Sequence, residues 1–274
     1  MNQKTYREFF SLKGKTAVIT GGVGILGQHF VAGLAEFGAA VAIVDVREKE
    51  AKELARKISE KYRVKSIGLG CDVTNAKLVK KMADRVVETF GRIDILHNNA
   101  AGKSDNLKDF FAPLEKYSLS EWKKIMAVNL DGMFLVAQAV GTQMARQHSG
   151  SIIQTASIYG IMGVDHRIYE GSFYLGGKIN TPAVYSASKG GVVALTRYLA
   201  TYWAKDGIRV NTLTPGGVQS GQNARFVKNY SKRIPMGRMA RAEELVGALV
   251  YLASDASSYT TGHNLVVDGG LNAW

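Results

Sequence analysis

The chain has 274 residues, of which 46% are hydrophobic and 21% charged, with a formal net charge of +12 and a single cysteine. These are the proportions of an ordinary soluble domain large enough for a full core, and the lone Cys71 excludes an internal disulfide framework and fits a reducing cytoplasm. Met1 to Lys15 carry no apolar run of signal-peptide length, the longest apolar stretches (Ala39–Val44 among them) are strand-sized, and no basic run interleaves with aromatics, so neither a membrane span nor a nucleic-acid partner is expected.

Lys15–Thr20 is a β-rich run ending in glycine and reads as a buried strand. Gly21-Gly-Val-Gly-Ile-Leu-Gly27 follows, then an amphipathic helix through Phe37 and a second buried strand, Ala39–Val44, ending at Asp45. This is a βαβ unit with a glycine-rich first turn. Glycines there let backbone approach a pyrophosphate at the helix N-terminus, and an acid 18 residues after Gly27 is placed to accept from a ribose 2′-hydroxyl. In the following helix, Glu48/Lys52 and Glu53/Lys57 have the stabilising Glu-before-Lys order, which accounts for many of the cations as a solvated face.

The alternation continues with a strand at Ser66–Cys71 ending in Asp72, a helix at Lys77–Phe90, and a strand at Ile93–Leu96 running into His97-Asn-Asn-Ala-Ala-Gly102. One or two helices cover Leu119–Gln147 and contain Asn129, and Ser151–Thr155 is a strand leading to Ala156-Ser157. After a helix opening at Tyr185, Ile208–Leu213 is a strand before Thr214-Pro-Gly-Gly217; Ala242–Ala253 is a helix and Asn264–Val267 a last strand. Strands alternating with helices of this length specify an α/β fold with a doubly wound parallel sheet, helices on both faces, and ligands at the carboxyl ends of the strands. No repeat or linker divides the chain, so residues 1–274 are one domain.

Tyr185-Ser-Ala-Ser-Lys189 is the candidate for the chemistry, although a Tyr and a Lys four apart also occur by chance and mean little alone. Residues four apart share a helical face, and an ammonium beside a phenol favours the phenolate and lowers its pKa from about 10. Such a tyrosine can exchange a proton with a carbonyl or alcohol oxygen. Tyr174-Leu-Gly-Gly-Lys178 repeats the spacing, but two glycines disfavour a helix there by roughly 2 kcal/mol.

The ordered set Thr20–Gly27, Asp45, Asp72, Asn98-Asn-Ala-Ala101, Val128-Asn129, Ser157, Tyr185/Lys189, Ile208-Arg-Val-Asn211, Pro215-Gly216 and Val266-Val-Asp-Gly-Gly270 resembles the short-chain dehydrogenase/reductase family, in its shorter single-domain form. The resemblance covers Leu12 to Gly270 and implies a Rossmann fold with a seven-stranded parallel sheet, an NAD(P)-dependent oxidoreductase acting on CH–OH groups, and usually a homotetramer. It implies Tyr185 as general acid/base, Lys189 as the ribose ligand that depresses the Tyr185 pKa, Ser157 as the group orienting the substrate oxygen, and Asn129 as holder of a relay water. It also implies cofactor contacts from Gly21, Val23, Ile25, Leu26, Asp45, Asp72, Val73, Asn99, Ala100, Ala101, Tyr185, Lys189, Pro215, Gly216 and Val218. No metal is implied. Asn129 could instead satisfy backbone at a helix irregularity, Ser157 could be a turn serine, and Asp72 could belong to a helix start.

Three departures stand out. Gly24 lies one place earlier than the middle glycine of the usual turn, and Ala101 replaces a usual glycine. Ser157 and Tyr185 are 28 positions apart, far more than the family usually has. The extra residues, near Ile161–Asn180, hang between two catalytic candidates, so Asp165, His166, Arg167, Tyr169 and Glu170 are expected to supply polar contacts to a hydroxyl-rich or acidic substrate. The alternative is that the loop packs on its own subunit or a neighbour. Asp45 would repel a 2′-phosphate, which favours NAD over NADP, with Arg47 partly compensating. The overall pattern is similar to sugar, sugar-acid and polyol dehydrogenases, gluconate 5-dehydrogenase-like members among them. The alternatives are an NADPH-dependent 3-oxoacyl-thioester reductase and a catalytically silent binding protein.

Overall fold

Thr16–Thr20 (β1) is buried along its whole length, as a run of β-branched and small residues in the middle of a parallel sheet requires. The computed structural model describes residues 5–102, 104, 106–174 and 177–274. After β1 come α1 (Ile25–Glu36), β2 (Ala40–Asp45), α2 (Glu48–Tyr62), β3 (Ser66–Gly70), α3 (Ala76–Phe90) and β4 (Ile95–Asn98). Then follow α4 (Leu107–Phe110), α5 (Leu119–Met126), α6 (Gly132–Gln147), β5 (Gly150–Thr155), β6 (Phe173–Tyr174) and β7 (Gly177–Lys178). The chain ends through α7 (Ala183–Trp203), β8 (Ile208–Pro215), α8 (Ala224–Ser231), α9 (Val246–Ala253) and β9 (Asn264–Val267).

Seven of the strands form one parallel sheet in the order β3-β2-β1-β4-β5-β8-β9. Thr20 pairs with Val44, Asn98 with Gln154 and Thr155 with Leu213, so the carboxyl ends of the five central strands form one edge. The order reverses between β1 and β4, which opens a crevice there. On one face Phe30 and Leu34 of α1 and Leu249 and Leu252 of α9 pack against Ile19, Ile43, Ile153 and Leu213. On the other, α3, α6 and α7 bring Val79, Met82, Val140, Met144, Leu199 and Trp203 against Val18, Val44, Leu96, Ile152 and Val210.

Two elements differ from expectation. The segment Ala242–Ala253 begins as a 3-10 turn, Ala242–Leu245, before α9. The helical run Leu119–Gln147 is long and apolar enough by composition to cross a bilayer, so the apolar content is not confined to strand-sized stretches. Here it is a core helix: Met133, Val136, Ala137, Val140 and Met144 are all buried in the domain. Its path is broken by a π-turn at Ala127–Asp131, which contains Asn129. Tyr174 and Lys178, the competing tyrosine–lysine pair, fall in a two-stranded antiparallel hairpin; Leu175 and Gly176 between them lie outside the described residues.

Candidate active site

The glycine turn is built by close backbone approach. Gly21 adopts φ +64°, where a side chain is strained, and a Cβ there would lie 2.9 Å from the Ala100 Cα. A Cβ on Gly27 would lie 2.1 Å from the Gly21 carbonyl oxygen, so α1 can start only against a glycine. Gly24 has φ −68° and needs no glycine for its backbone angle, but a Cβ there would lie 3.2 Å from the Gly21 carbonyl oxygen, so it too sits in the close-packed turn. Ala101 likewise avoids positive φ. Thr20 joins the turn to the next strand end: its hydroxyl donates to Asn98 Oδ1 (3.2 Å) and accepts from the amides of Asn99 and Ala100, both at 3.0 Å.

Asp45 closes β2 with its carboxylate buried. Oδ2 accepts from the Val23 amide (3.3 Å) and Oδ1 from the Arg47 amide (3.1 Å), with the Arg47 guanidinium at 3.4 Å. Arg47 is half exposed and also pairs with Glu50. Asp72 is exposed and caps its own turn, accepting from the Thr74 amide and hydroxyl; the following helix is capped by Asn75 instead.

These groups line one groove of about 930 Å³ along the sheet edge. Gly21, Val23, Ile25, Leu26, Asp45, Asp72, Val73, Asn99, Ala100, Ala101, Ser157, Tyr185, Lys189, Pro215, Gly216 and Val218 all border it. The groove also takes in Arg47 and Val128, and Thr155 and Ser220, which sequence reasoning did not single out. Thr155 could have been found from its place at the end of β5. The glycine cradle, the α1 N-terminus and the Asp45 carboxylate at the end of β2 are the parts that hold the pyrophosphate and ribose of a dinucleotide.

Tyr185, Ser157 and Lys189 converge at one end of the groove. The Ser157 hydroxyl accepts from the Tyr159 amide (3.3 Å) and lies near enough to the Tyr185 phenol to favour its ionised form. Lys189 is 2% exposed, and its Nζ donates to the Thr155 carbonyl at 2.8 Å, 6.0 Å from the centre of the Tyr185 ring. Asn129 does not border the groove. It is fully buried, accepts from the Gly102 amide (2.9 Å) and donates to the Ser188 hydroxyl (3.4 Å), tying the π-turn to α7.

The electrostatics correct one expectation. Burial pushes the Tyr185 phenol above its ordinary value, and the nearby Ser157 hydroxyl pulls it partly back; Lys189 does not bring it down. Burial also lowers Lys189, to about 8. Desolvation of both groups outweighs the attraction that their helical spacing suggested.

The insertion is the second correction. Asp165 pairs with Arg167 and with Arg233, and its carboxylate is held below the usual range chiefly by Arg167. Asn229 and Arg225 of α8 donate to the Glu170 carbonyl, and Tyr169 stacks on Phe226 at 5.5 Å. Asp165 and Arg167 are thus tied to each other and to Arg233 just past α8, the Glu170 backbone is held by α8, and none of Asp165, His166, Arg167 and Glu170 lines the pocket beside Tyr185. What the insertion brings to the site is Tyr169, Phe173, Ile179, Asn180 and Thr181, in a second pocket of about 610 Å³ that shares Tyr185 and Ser220 with the groove. Leu107, Phe110, Phe111, Gln222, Asn223 and Phe226 complete its wall. Replacing His166 and Arg167 together by alanine is therefore expected to leave Michaelis constants within about two-fold, whereas Asn180→Ala raises them; steady-state kinetics on one good substrate distinguishes these.

A family profile described as enoyl-(acyl carrier protein) reductase matches residues 23–272. The chain belongs to the short-chain dehydrogenase/reductase family. It is 35% identical to an NADP-dependent mannitol dehydrogenase of Alternaria alternata, over 96% of this chain and 94% of that one. It is 36% identical to a D-threitol dehydrogenase of Mycolicibacterium smegmatis, over 95% and 94%. Among solved structures, a gluconate 5-dehydrogenase from Burkholderia cenocepacia in complex with NADP and tartrate superposes with a TM-score of 0.86 at 35% identity, over 97% of this chain and 98% of that one. This dehydrogenase uses a nicotinamide cofactor and acts as an oxidoreductase on alcohol or carbonyl groups. The expected preference for NAD is not supported by these relatives, of which the mannitol dehydrogenase is NADP-dependent and the gluconate enzyme was solved with NADP.

Proposed function

We propose that the enzyme interconverts a secondary alcohol and a ketone on a neutral, polyhydroxylated substrate, a sugar or polyol. The pocket beside Tyr185 carries this reading. Its described lining holds amides, hydroxyls and aromatic rings and no charged side chain. Amides and hydroxyls exchange hydrogen bonds with sugar hydroxyls, and ring faces cover the apolar C–H surface of a carbohydrate. A bare carboxylate would find no cation among the described residues of these walls, so the acidic half of the sequence expectation is the weaker one.

The nicotinamide supplies or accepts the hydride. The residues of this chain do the rest. Tyr185 takes the alcohol proton or returns it to the carbonyl oxygen, and the Ser157 hydroxyl orients that oxygen and stabilises its developing charge. Lys189, held by the Thr155 carbonyl at the Tyr185 end of the groove, would bind the nicotinamide ribose, and Asn129 keeps α7 in register with the loop after β4. A panel of neutral alditols and ketoses against aldonic acids tests the substrate class. Neutral substrates are expected to win by at least ten-fold in kcat/KM; a preference for the acids would contradict the reading. The aromatic wall would also accept an acyl chain, so 3-oxoacyl thioesters belong in the same panel.

For the cofactor, NAD remains the reading, because the Asp45 carboxylate occupies the end of β2 and is fixed there by two amides. Asp45→Ser removes that charge and releases Arg47 from it. The NADP/NAD ratio of kcat/KM is expected to rise by about 100-fold; an unchanged ratio would contradict this assignment. The reading includes a cytoplasmic location, for which the lone Cys71 is the support, and a homotetramer, for which the exposed, stacked Tyr198 and Tyr202 on α7 and exposed Phe134 on α6 offer an apolar face.

A further inference from the structure

His97 is a histidine in the centre of a parallel sheet. It is fully buried, packs edge-on against Phe30 with ring centres 4.5 Å apart, and has one hydrogen-bond partner, the Thr155 hydroxyl, 2.9 Å from Nε2. Nδ1 is buried and unpartnered. An orphaned N–H donor costs more than an orphaned ring lone pair, so the proton belongs on Nε2 and the Thr155 oxygen is the acceptor. The Thr155 hydroxyl must then donate elsewhere. Thr155 borders the cofactor groove, and its carbonyl already holds the Lys189 ammonium at 2.8 Å.

We propose that Thr155 is a cofactor-positioning residue whose hydroxyl proton is aimed into the groove by His97. Both oxygens of one residue are thereby assigned: the carbonyl anchors Lys189, and the hydroxyl offers a directed donor to an acceptor atom on the cofactor. His97 acts only through Thr155. Burial holds its pKa down to about 3, so it stays neutral and keeps the same tautomer throughout the working pH range. This rests on the groove's being the nicotinamide cofactor site, and the aligned donor takes the place of water that would otherwise have to be reorganised.

The test is reduced-cofactor affinity, followed by fluorescence titration of the whole enzyme with NADH and NADPH in the absence of substrate. Thr155→Val is isosteric and is expected to weaken the preferred cofactor about ten-fold, while Thr155→Ser, which keeps the hydroxyl, binds as the parent does. His97→Val is expected to weaken it by a similar factor, and His97→Gln, whose amide can donate to Thr155, to recover part of the loss. The His97→Val/Thr155→Val double variant should bind no more weakly than either single variant. If the His97 variants do not fold, the Thr155→Val and Thr155→Ser pair still decides the hydroxyl's role. Parent-like affinity in Thr155→Val overturns the proposal, and additive losses in the double variant overturn the orienting role of His97. Failure of every variant, Asp45→Ser included, to alter cofactor affinity would instead overturn the groove assignment.

Discussion

Lys189→Met is expected to abolish turnover while raising the melting temperature of the cofactor-free protein by several degrees. The lysine sits near the start of α7, 2% exposed, with one hydrogen bond to the Thr155 carbonyl. Its pKa falls from 10.5 to about 8 because burial penalises the charged form. That difference corresponds to about 3 kcal/mol of stability withheld at neutral pH. Methionine has nearly the same shape without the charge. Leaving the Thr155 carbonyl unpaired costs about 1 kcal/mol, so a net gain of about 2 kcal/mol remains. Loss of the ammonium from the Tyr185 end of the groove should cost at least about a thousand-fold in kcat. The pH dependence gives an independent check. Between about 8 and 10.5 the unfolded lysine holds a proton that the folded one has released, so parent stability rises with pH across that window. The variant should lack this rise when melting curves are compared at pH 7.5 and 10. A variant that melts lower at pH 7.5 and keeps the same pH slope would contradict the account.

The second large effect is in acid. His97 has its pKa lowered by burial from 6.5 to about 3. As pH falls through 6.5 the unfolded chain takes up a proton that the folded sheet refuses, and the resulting loss of stability reaches about 5 kcal/mol near pH 3. For a domain whose whole stability is of order 5–15 kcal/mol, that is enough to govern acid unfolding. Urea melts of the parent and His97→Val at pH 7.5 and 4.5 isolate the term, because the remaining titrating groups cancel in the difference. The parent should lose about 3 kcal/mol more than the variant between the two conditions. Equal losses would show that the ring is protonated in the folded state.

The fold and the groove were legible because their signals are local. Six of the seven strands of the sheet end in their own punctuation, Gly21, Asp45, Asp72, Asn98, Ser157 or Pro215, and the parallel register brings these ends to one edge. The Tyr185–Lys189 spacing was equally local, since both stand on α7. What their spacing could not convey was desolvation, which depends on the surrounding elements and reverses the expected direction for the phenol. The insertion was misread for a related reason. Asp165 looked available for a substrate until Arg233, 68 positions later in the chain, was brought against it. The wall of the substrate pocket joins Phe110 and Phe111, Tyr169 and Asn180, and Gln222 and Phe226, from three segments that share no motif. The His97–Thr155 contact crosses from β4 to β5 and has no signature in either strand.

The central claim is that Tyr185 exchanges the proton while a nicotinamide cofactor handles the hydride on a neutral polyol or sugar. The most direct measurement is substrate-dependent reduction of NAD and NADP by the parent and by Tyr185→Phe, with cofactor affinity measured on both. The account requires turnover on a neutral polyol that falls at least about a thousand-fold in Tyr185→Phe, with cofactor affinity unchanged. Turnover that survives the loss of the phenol, or activity confined to 3-oxoacyl thioesters, would contradict it.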